Sequence, residues 1–295
     1  MNYDVDYLIR VLSYKEFYEV VKEFTFPYAI MKGEALSVLA YGIEGMRNSK
    51  DIDILIAREH LDMAKKILYA KGFKEITINR FDRVFFLNSS HQTPTYAKKT
   101  KICYVFIDVN FDIFWGEYKG KRIDIAEFLN DTVKVCVYGC FVHTLSPIKS
   151  LIALALHHYK DMNSLFLLAT KNVIRYDMFK DIYYLIKNNS DVITSEQLYY
   201  YCDKFNITQY MYYILFYTSV LFPDGFLDVY IQKIKTEEGV FLLDKYGLCS
   251  EEQKVWKCSF KDRLNSDNLF ELIKNDLSEK DKQKIAYNKQ IFGGG

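Results

Sequence analysis

The sequence has little of several features that would point to a special class of protein. Only 4 of its 295 residues are proline and only 2 are tryptophan. Its 39 basic and 38 acidic side chains nearly cancel, which leaves a formal net charge of +1. A balance this close to neutral gives no global reason to expect a nucleic acid or a strongly acidic partner. Any site for a polyanion therefore has to be local.

The cysteines and the apolar runs give no indication of a zinc site, a disulfide framework or a membrane span. Cys136 and Cys140 are four residues apart, but no second close pair completes the spacing of a zinc site. We therefore expect reduced thiols in a cytoplasmic protein. The acidic, amphipathic start of the chain does not resemble a signal peptide, and no apolar run is long enough to span a bilayer. A soluble protein with no membrane partner is the expectation.

Hydrophobic periodicity divides the chain near residue 145. Before that point, helical patterns such as Glu34–Tyr41 alternate with strand-like runs and predict an α/β fold, a mixed β-sheet with packed helices. From Pro147 onward the patterns are almost only helical, with clear examples at Tyr176–Lys187 and Thr208–Leu221. We predict a first domain at residues 1–144, an all-helical domain at 145–292 and a flexible glycine tail at 293–295.

Several strands are predicted in the first domain after its third helix. The candidates are Phe73–Ile78, Val84–Leu87 and Ile102–Val109. The polar segment 88–100 contains a proline and predicts a loop or a hairpin tip. The segment Asp112–Trp115 either continues the sheet or turns away from it.

The arrangement hardest to explain by packing alone is Asp51-Ile52-Asp53. Side chains alternate along a strand, so Asp51 and Asp53 share one face while Ile52 points into the core. Two adjacent carboxylates repel each other unless a cation lies between them. Oxygen ligands of this kind suit Mg²⁺ or Mn²⁺, which bind a few carboxylates together with substrate phosphates. The pair therefore predicts a divalent metal site.

A third carboxylate would make this site more specific. Asp108 follows an apolar run, and a strand beside that of Asp51 and Asp53 would bring it to the same ions. Asp112 is the competitor, and in a continuous strand it would lie about 13 Å further along the same face. Only one of the two can complete the site, and we favour Asp108.

These parts together resemble the nucleotidyltransferase superfamily of the DNA polymerase β type. Its pattern is a glycine turn after a strand, a helix, an Asp-x-Asp strand and a third aspartate on a later strand. Here Lys32-Gly33, the helix from Glu34, Asp51-Ile52-Asp53 and Asp108 carry the pattern.

A longer block narrows the resemblance. The stretch Arg47-Asn48-Ser49-Lys50-Asp51-Ile52-Asp53, followed later by Gly72-Phe73, is similar to a bacterial family of uncharacterised nucleotidyltransferases. That family has relatives associated with abortive infection and with antitoxins. An alternative implied by these relatives is a non-catalytic nucleotide-binding module with a cognate protein partner in a toxin–antitoxin or phage-defence pair.

The chemistry implied by the resemblance is transfer of a nucleoside monophosphate from an NTP to a hydroxyl group, with two Mg²⁺ or Mn²⁺ ions. Asp51 and Asp53 would bridge the ions, and Asp108 would bind one of them and help to deprotonate the acceptor. The residues implied to bind the nucleotide phosphates are Lys32, Gly33, Arg47 and Ser49. The acceptor is a small molecule, a protein or an RNA, and no basic stripe indicates a nucleic acid.

Glu34 departs from the superfamily pattern. Many members have a small residue at this position, where the backbone approaches the triphosphate. A carboxylate there would repel phosphate unless it turns away or meets a metal ion. The sequence leaves the direction of this side chain open.

Overall fold

The computed structural model describes residues 3–47, 49, 51–76, 91–114 and 122–292 of the chain. The chain divides into two compact units, one formed by Met1–Ile113 with Arg122–Ala153 and the other by Phe114–Lys121 with Leu154–Gly295. The division predicted between residues 144 and 145 stays a prediction. In the part of the chain that is described, no helix is both long enough and apolar enough to cross a membrane.

The first unit is built on a mixed sheet, as predicted. Its described strands are β1 (Tyr28–Ile30), β2 (Ile52–Ile56), β3 (Lys74–Glu75), β4 (Tyr96–Lys99), β5 (Tyr104–Asn110), β6 (Val133–Val137) and β7 (Cys140–Thr144). They lie in the order β3-β4-β5-β2-β1-β7-β6. The β2–β5 and β1–β7 pairs are parallel, and the other neighbouring pairs are antiparallel.

One face of this sheet carries the core of the unit. The α-helices described in this unit before residue 147 are α1 (Tyr3–Val21), α2 (Gly33–Tyr41), α3 (Leu61–Ala70) and α4 (Ile125–Phe128). Phe17 and Val20 of α1 and Leu68 of α3 lie in the same buried cluster as Ile107 and Val109 of β5. Because side chains alternate along a strand, the even-numbered residues of β5 point to the opposite face of the sheet.

The polar segment before β5 contains strand β4, so the prediction of a loop or a hairpin tip over residues 88–100 is wrong for Tyr96–Lys99. Strand β4 pairs antiparallel with β5, and Tyr96 is buried. Lys98 lies opposite Val105, with its Nζ 5.6 Å from the ring centroid of Phe73 and 2.6 Å from a carboxylate oxygen of Glu16. The apolar stem of a lysine can cover a core while its charge stays paired outside. Because a lysine stands at this inward-facing position, the segment lacks the alternation of apolar and polar residues by which a strand is recognised.

The remaining strand predictions are answered only in part. Lys74–Glu75 is the strand found within the predicted Phe73–Ile78, whose last two residues lie outside the described part. The predicted strand Val84–Leu87 lies wholly outside it. Residues 112–114, the described part of Asp112–Trp115, do not continue β5.

Helices dominate the chain from residue 147 onward. The α-helices are α5 (Pro147–Asn163), α6 (Leu165–Thr170), α7 (Tyr176–Lys187), α8 (Ser195–Lys204), α9 (Thr208–Leu221), α10 (Asp228–Lys233), α11 (Glu237–Leu242), α12 (Phe260–Leu264), α13 (Leu269–Ile273) and α14 (Glu279–Phe292). Met211, Ile214 and Leu215 of α9 are completely buried, which places this helix in the core of the second unit.

The prediction of an all-helical C-terminal domain needs one correction. Strands β8 (Lys245–Tyr246) and β9 (Lys254–Val255) form a small antiparallel pair. Gly247, which follows β8, has a φ of +100°, and a Cβ there would lie 2.4 Å from the carbonyl oxygen of Glu252. A residue with a side chain does not fit this turn.

Candidate active site

Two parallel strands bring the predicted carboxylates together. In the register of β2 and β5, Asp53 stands opposite Asp108, and neighbouring strands lie about 4.8 Å apart. Asp51 comes immediately before β2 and two residues before Asp53, so both point to the same face of the sheet. The three carboxylates predicted from the sequence therefore lie at one place.

The electrostatics of Asp108 reflect this crowding. Burial, and next the negative charge of Asp53, raise the pKa of Asp108 to about 7. Burial and the charge of Asp53 also raise the pKa of Asp51. A carboxyl group with a pKa near 7 is about half protonated at neutral pH unless a cation stabilises its charged form.

Asp108 also has an oxygen for which the described residues provide no partner. The residue is 9 % exposed, and its Oδ1 is buried without a hydrogen bond in the described part of the chain. Buried carboxylate oxygens normally accept hydrogen bonds or bind a metal. A set of carboxylate oxygens is the ligand set that Mg²⁺ and Mn²⁺ prefer. Asp51, Asp53 and Asp108 therefore fit a divalent ion and are the residues that would hold it.

Two polar groups hold Asp53 in place. The Nδ2 of Asn110 donates to Asp53 Oδ1 at 3.3 Å and to the carbonyl oxygen of Ile54 at 3.2 Å. The Nζ of Lys32 lies 3.8 Å from Asp53 Oδ2. Sequence reasoning missed Asn110, although it follows Asp108 by two residues and so shares its face of β5. That spacing was the available signal.

The turn between β1 and α2 lies beside the carboxylates. The backbone N–H of Met31 donates to the carbonyl oxygen of Asp53 at 3.0 Å. Gly33, the first residue of α2, has a φ of +63°, and a Cβ there would lie 3.3 Å from the Oγ of Ser49. Lys32 precedes the helix in an extended conformation and makes no side-chain capping hydrogen bond. The backbone N–H groups of Glu34 and Ala35, which follow Gly33 in α2, hydrogen-bond to the buried hydroxyl of Tyr14. The positive end of the helix dipole and Lys32 are therefore what this turn offers an anion.

Ser49 and Arg47 complete this region in different ways. The Oγ of Ser49 donates to the carbonyl oxygen of Asp51 at 2.7 Å and lies 3.2 Å from Asp51 Oδ1. Ser49 thus holds the residue before β2 and lies against the Gly33 turn. Arg47 contributes its carbonyl oxygen, which accepts a hydrogen bond from the Nη1 of Arg10 at 3.4 Å.

The Glu34 carboxylate is engaged by protein groups. It forms a 3.2 Å ion pair with Arg10 on α1 and accepts a 2.6 Å hydrogen bond from the backbone N–H of Gly45. The residue is 1 % exposed. Its charge is therefore neutralised inside the protein, which answers the question that the sequence left open. Sequence reasoning missed Arg10, because nothing in the local pattern links it to a residue 24 positions later.

Asp112 takes part in a different interaction from Asp108. It lies beyond the end of β5, where its carboxylate accepts a 2.8 Å hydrogen bond from the N–H of Ile113. Its Oδ2 also lies 3.1 Å from the Nε of Arg122. The geometry therefore favours Asp108 over Asp112 as the third carboxylate.

A second group of potential metal ligands lies in the other unit, on α5. Ligand atoms of His157, His158 and Asp161 all lie within 4.8 Å of one another. The Nζ of Lys160 is 3.3 Å from His157 Nδ1 and 3.2 Å from Asp161 Oδ1. The Nε2 of His157 also lies 3.2 Å from Asp161 Oδ2. Because two of the three ligands contact an ammonium group and each other, we interpret the group as an ion-pair network.

A family model and a solved structure match this chain. The model of a family described as uncharacterised nucleotidyltransferases matches residues 11–223. A solved structure of an antigenic nucleotidyltransferase-like protein from Paracoccidioides brasiliensis is similar, with 16% sequence identity and a TM-score of 0.44, over 84% of this chain and 95% of that one. None of the curated proteins matches the sequence.

Proposed function

We propose a nucleotidyl-transfer reaction for this chain, which belongs to the family of uncharacterised nucleotidyltransferases. In this reaction it transfers a nucleoside monophosphate from an NTP to a hydroxyl acceptor. The oxygen of the acceptor attacks the α-phosphorus, the bond to the β-phosphate oxygen breaks, and pyrophosphate leaves. The hydroxyl proton passes to solvent. The observation that carries the proposal is the register of Asp53 against Asp108 beside the glycine turn at the start of α2.

The carboxylates are proposed to hold two divalent ions, Mg²⁺ or Mn²⁺. Bound ions would neutralise the triphosphate and lower the pKa of the acceptor hydroxyl. Asp51 and Asp53 share one face, and Asp108 faces Asp53 across the strand pair. Among the described residues, its Oδ1 has no hydrogen-bond partner. Asn110 keeps the Asp53 carboxylate oriented through its 3.3 Å hydrogen bond. The metal site is thus supported by the carboxylate oxygens that could act as ligands and by the burial of Asp108.

The phosphates of the NTP are proposed to lie at the start of α2. The N-terminus of a helix favours negative charge because its first backbone N–H groups have no partner inside the helix. Gly33 gives the turn its positive φ and lets Ser49 pack against it, and Lys32 adds a positive charge beside it. The structure supports Ser49 as a residue that fixes the turn, while Arg47 as a phosphate ligand stays a prediction.

Transfer is tested by incubating the protein with each of the four NTPs, labelled on the α-phosphate, and with Mg²⁺ or Mn²⁺. Pyrophosphate release is measured, together with transfer of label to small-molecule, protein and RNA fractions of a cell extract. We expect metal-dependent release with at least one NTP, and its loss in Asp51→Ala/Asp53→Ala.

A different result would favour the binding-module alternative. Tight NTP binding without any pyrophosphate release would indicate that the chain recognises nucleotides without transferring them. If that double variant also bound metal and NTP as the wild type does, the carboxylates would have no part in either function. The acceptor and a cognate protein partner stay predictions until label transfer identifies one.

A further inference from the structure

A recess of about 500 Å³ opens beside the carboxylates, and its walls come from α1 and from the first part of β5. Asp51 of the proposed metal site and Ser49 beside it are among its lining residues, together with Ile9 and Tyr104. Ligand pockets of roughly 300–1,000 Å³ are typical for small molecules, so a nucleoside fits a volume of this size. We call this pocket the α1–β5 recess.

One wall of the recess is a pair of aromatic rings. Tyr104 and Phe106 are stacked, with their ring centroids 6.1 Å apart and their planes 16° from parallel. They precede Asp108 by four and two residues on the same strand, so all three point to the same face of β5. Tyr104 is 53 % exposed although Val105, its neighbour on the other face, is buried. An exposed, stacked pair of this kind is a surface on which a planar ring can stack.

The charges around the recess select which part of a ligand enters it. Asp6, Glu34 and Asp51 line it, and Arg10 is the one basic residue among its described lining residues. Arg10 is already paired with Glu34 at 3.2 Å. The excess of negative charge disfavours a phosphate in the recess and favours an uncharged ring.

We propose that the α1–β5 recess binds the planar base of the NTP, with the ring stacked on Tyr104 and Phe106. The phosphates then lie outside the recess, across Ser49 and Asp51, at the start of α2. This inference rests on the proposed function, because it assigns the base end of the nucleotide whose phosphates that function assigns to the Lys32–Gly33 turn.

The test compares a nucleotide with the same phosphate chain lacking a base. Calorimetry measures the affinity of the full-length protein, with Mg²⁺, for a non-hydrolysable NTP and for inorganic tripolyphosphate. Loss of a base–aromatic stack typically weakens binding about ten-fold. We expect Tyr104→Ala and Tyr104→Leu to weaken nucleotide binding by about this factor and to leave tripolyphosphate binding unchanged. Tyr104→Phe keeps the ring and should bind both ligands like the wild type.

Phe141→Ala is the matched control, because Phe141 is also an exposed ring, at 57 %, and lies on β7 outside the recess. Equal nucleotide affinity in wild type, Tyr104→Ala and Tyr104→Leu would overturn this inference. If, in that case, Asp53→Asn nevertheless lost nucleotide binding, the proposed function would stand and only the assignment of the base to the α1–β5 recess would fall. A wild-type protein that binds neither ligand would overturn both.

Discussion

Asp53 and Asp108 face each other across two parallel strands, although 55 positions separate them in the sequence. The register of β2 against β5 brings the two carboxylates together, and the Nζ of Lys32 lies 3.8 Å from Asp53 Oδ2. Burial and the charge of Asp53 keep the pKa of Asp108 at about 7. This juxtaposition costs stability in the absence of a metal ion, and a site that costs stability is typical of function rather than of packing.

Asp53→Asn should abolish most nucleotidyl transfer while the protein stays folded. The substitution removes one charge and keeps the size of the side chain, so that a fall of roughly a hundred-fold or more in pyrophosphate release is expected. Asp124→Asn is the matched control, because Asp124 caps α4 through the N–H groups of Ala126 and Glu127, and asparagine caps equally well. Activity in Asp53→Asn equal to that of the control would argue against a role for Asp53.

Asp108→Asn should stabilise the metal-free protein, increasingly so at higher pH. The folded pKa of about 7 lies above the value near 3.9 that an aspartate has in an unfolded chain. The stabilising effect of the bound proton is therefore complete below pH 4 and is lost as the pH rises through 7. The wild type then carries a penalty of at most about 4 kcal/mol, which asparagine does not.

The measurement for Asp108 is the Tm with EDTA at pH 5 and at pH 8. We expect the gap between Asp108→Asn and wild type to widen at pH 8, and turnover to be lost. Asp112→Asn should instead destabilise the protein at both values, since it weakens the pair with Arg122, and should keep turnover. A loss of turnover in Asp112→Asn alone would make Asp112 the third carboxylate.

Arg10→Leu should destabilise the first unit because it leaves a buried charge on Glu34. Removing one partner of such a pair costs about 3 kcal/mol. Glu34→Gln removes the charge and keeps an oxygen for the N–H of Gly45. The double variant should therefore be more stable than Arg10→Leu alone, as measured by urea unfolding. Simple addition of the two single costs would show that the ion pair is not coupled.

Gly33→Ala should weaken NTP binding, whereas Gly42→Ala should not. Both glycines have positive φ, +63° and +76°, so either substitution costs about 1 kcal/mol of stability or slightly more. Only at Gly33 would the new Cβ meet Ser49, at 3.3 Å from its Oγ, while nothing lies within 4 Å at Gly42. We expect a higher KM for the NTP in Gly33→Ala alone. The same KM in both variants would remove the Gly33 turn from the phosphate site.

How far the sequence predicts this fold depends on how regular the apolar pattern is. Helices α7 and α9 begin and end at the predicted residues, because their patterns repeat over several turns. Strand β4 was missed because Lys98 covers the core with its stem, and α4 was missed because a helix of four residues is too short to show a period.

For the candidate site, the sequence indicates the acidic residues but not what surrounds them. Asp51 and Asp53 are recognisable because two carboxylates within an apolar strand are unusual. The contact of Asn110 with Asp53 depends on the register of β2 against β5, and the pair of Arg10 with Glu34 depends on how α1 packs. Register and packing are set by the whole core, so neither contact can be derived from local sequence.

Binding of Mn²⁺, followed by the loss of the free-ion EPR signal at pH 8, tests the central claim that Asp51, Asp53 and Asp108 form a divalent metal site. The titration compares wild type, Asp53→Asn and the control Asp124→Asn, each with and without a non-hydrolysable NTP. The account predicts uptake by the wild type and the control, strengthened by the nucleotide, and at least ten-fold weaker binding by Asp53→Asn. Equal Mn²⁺ binding by all three proteins would contradict it.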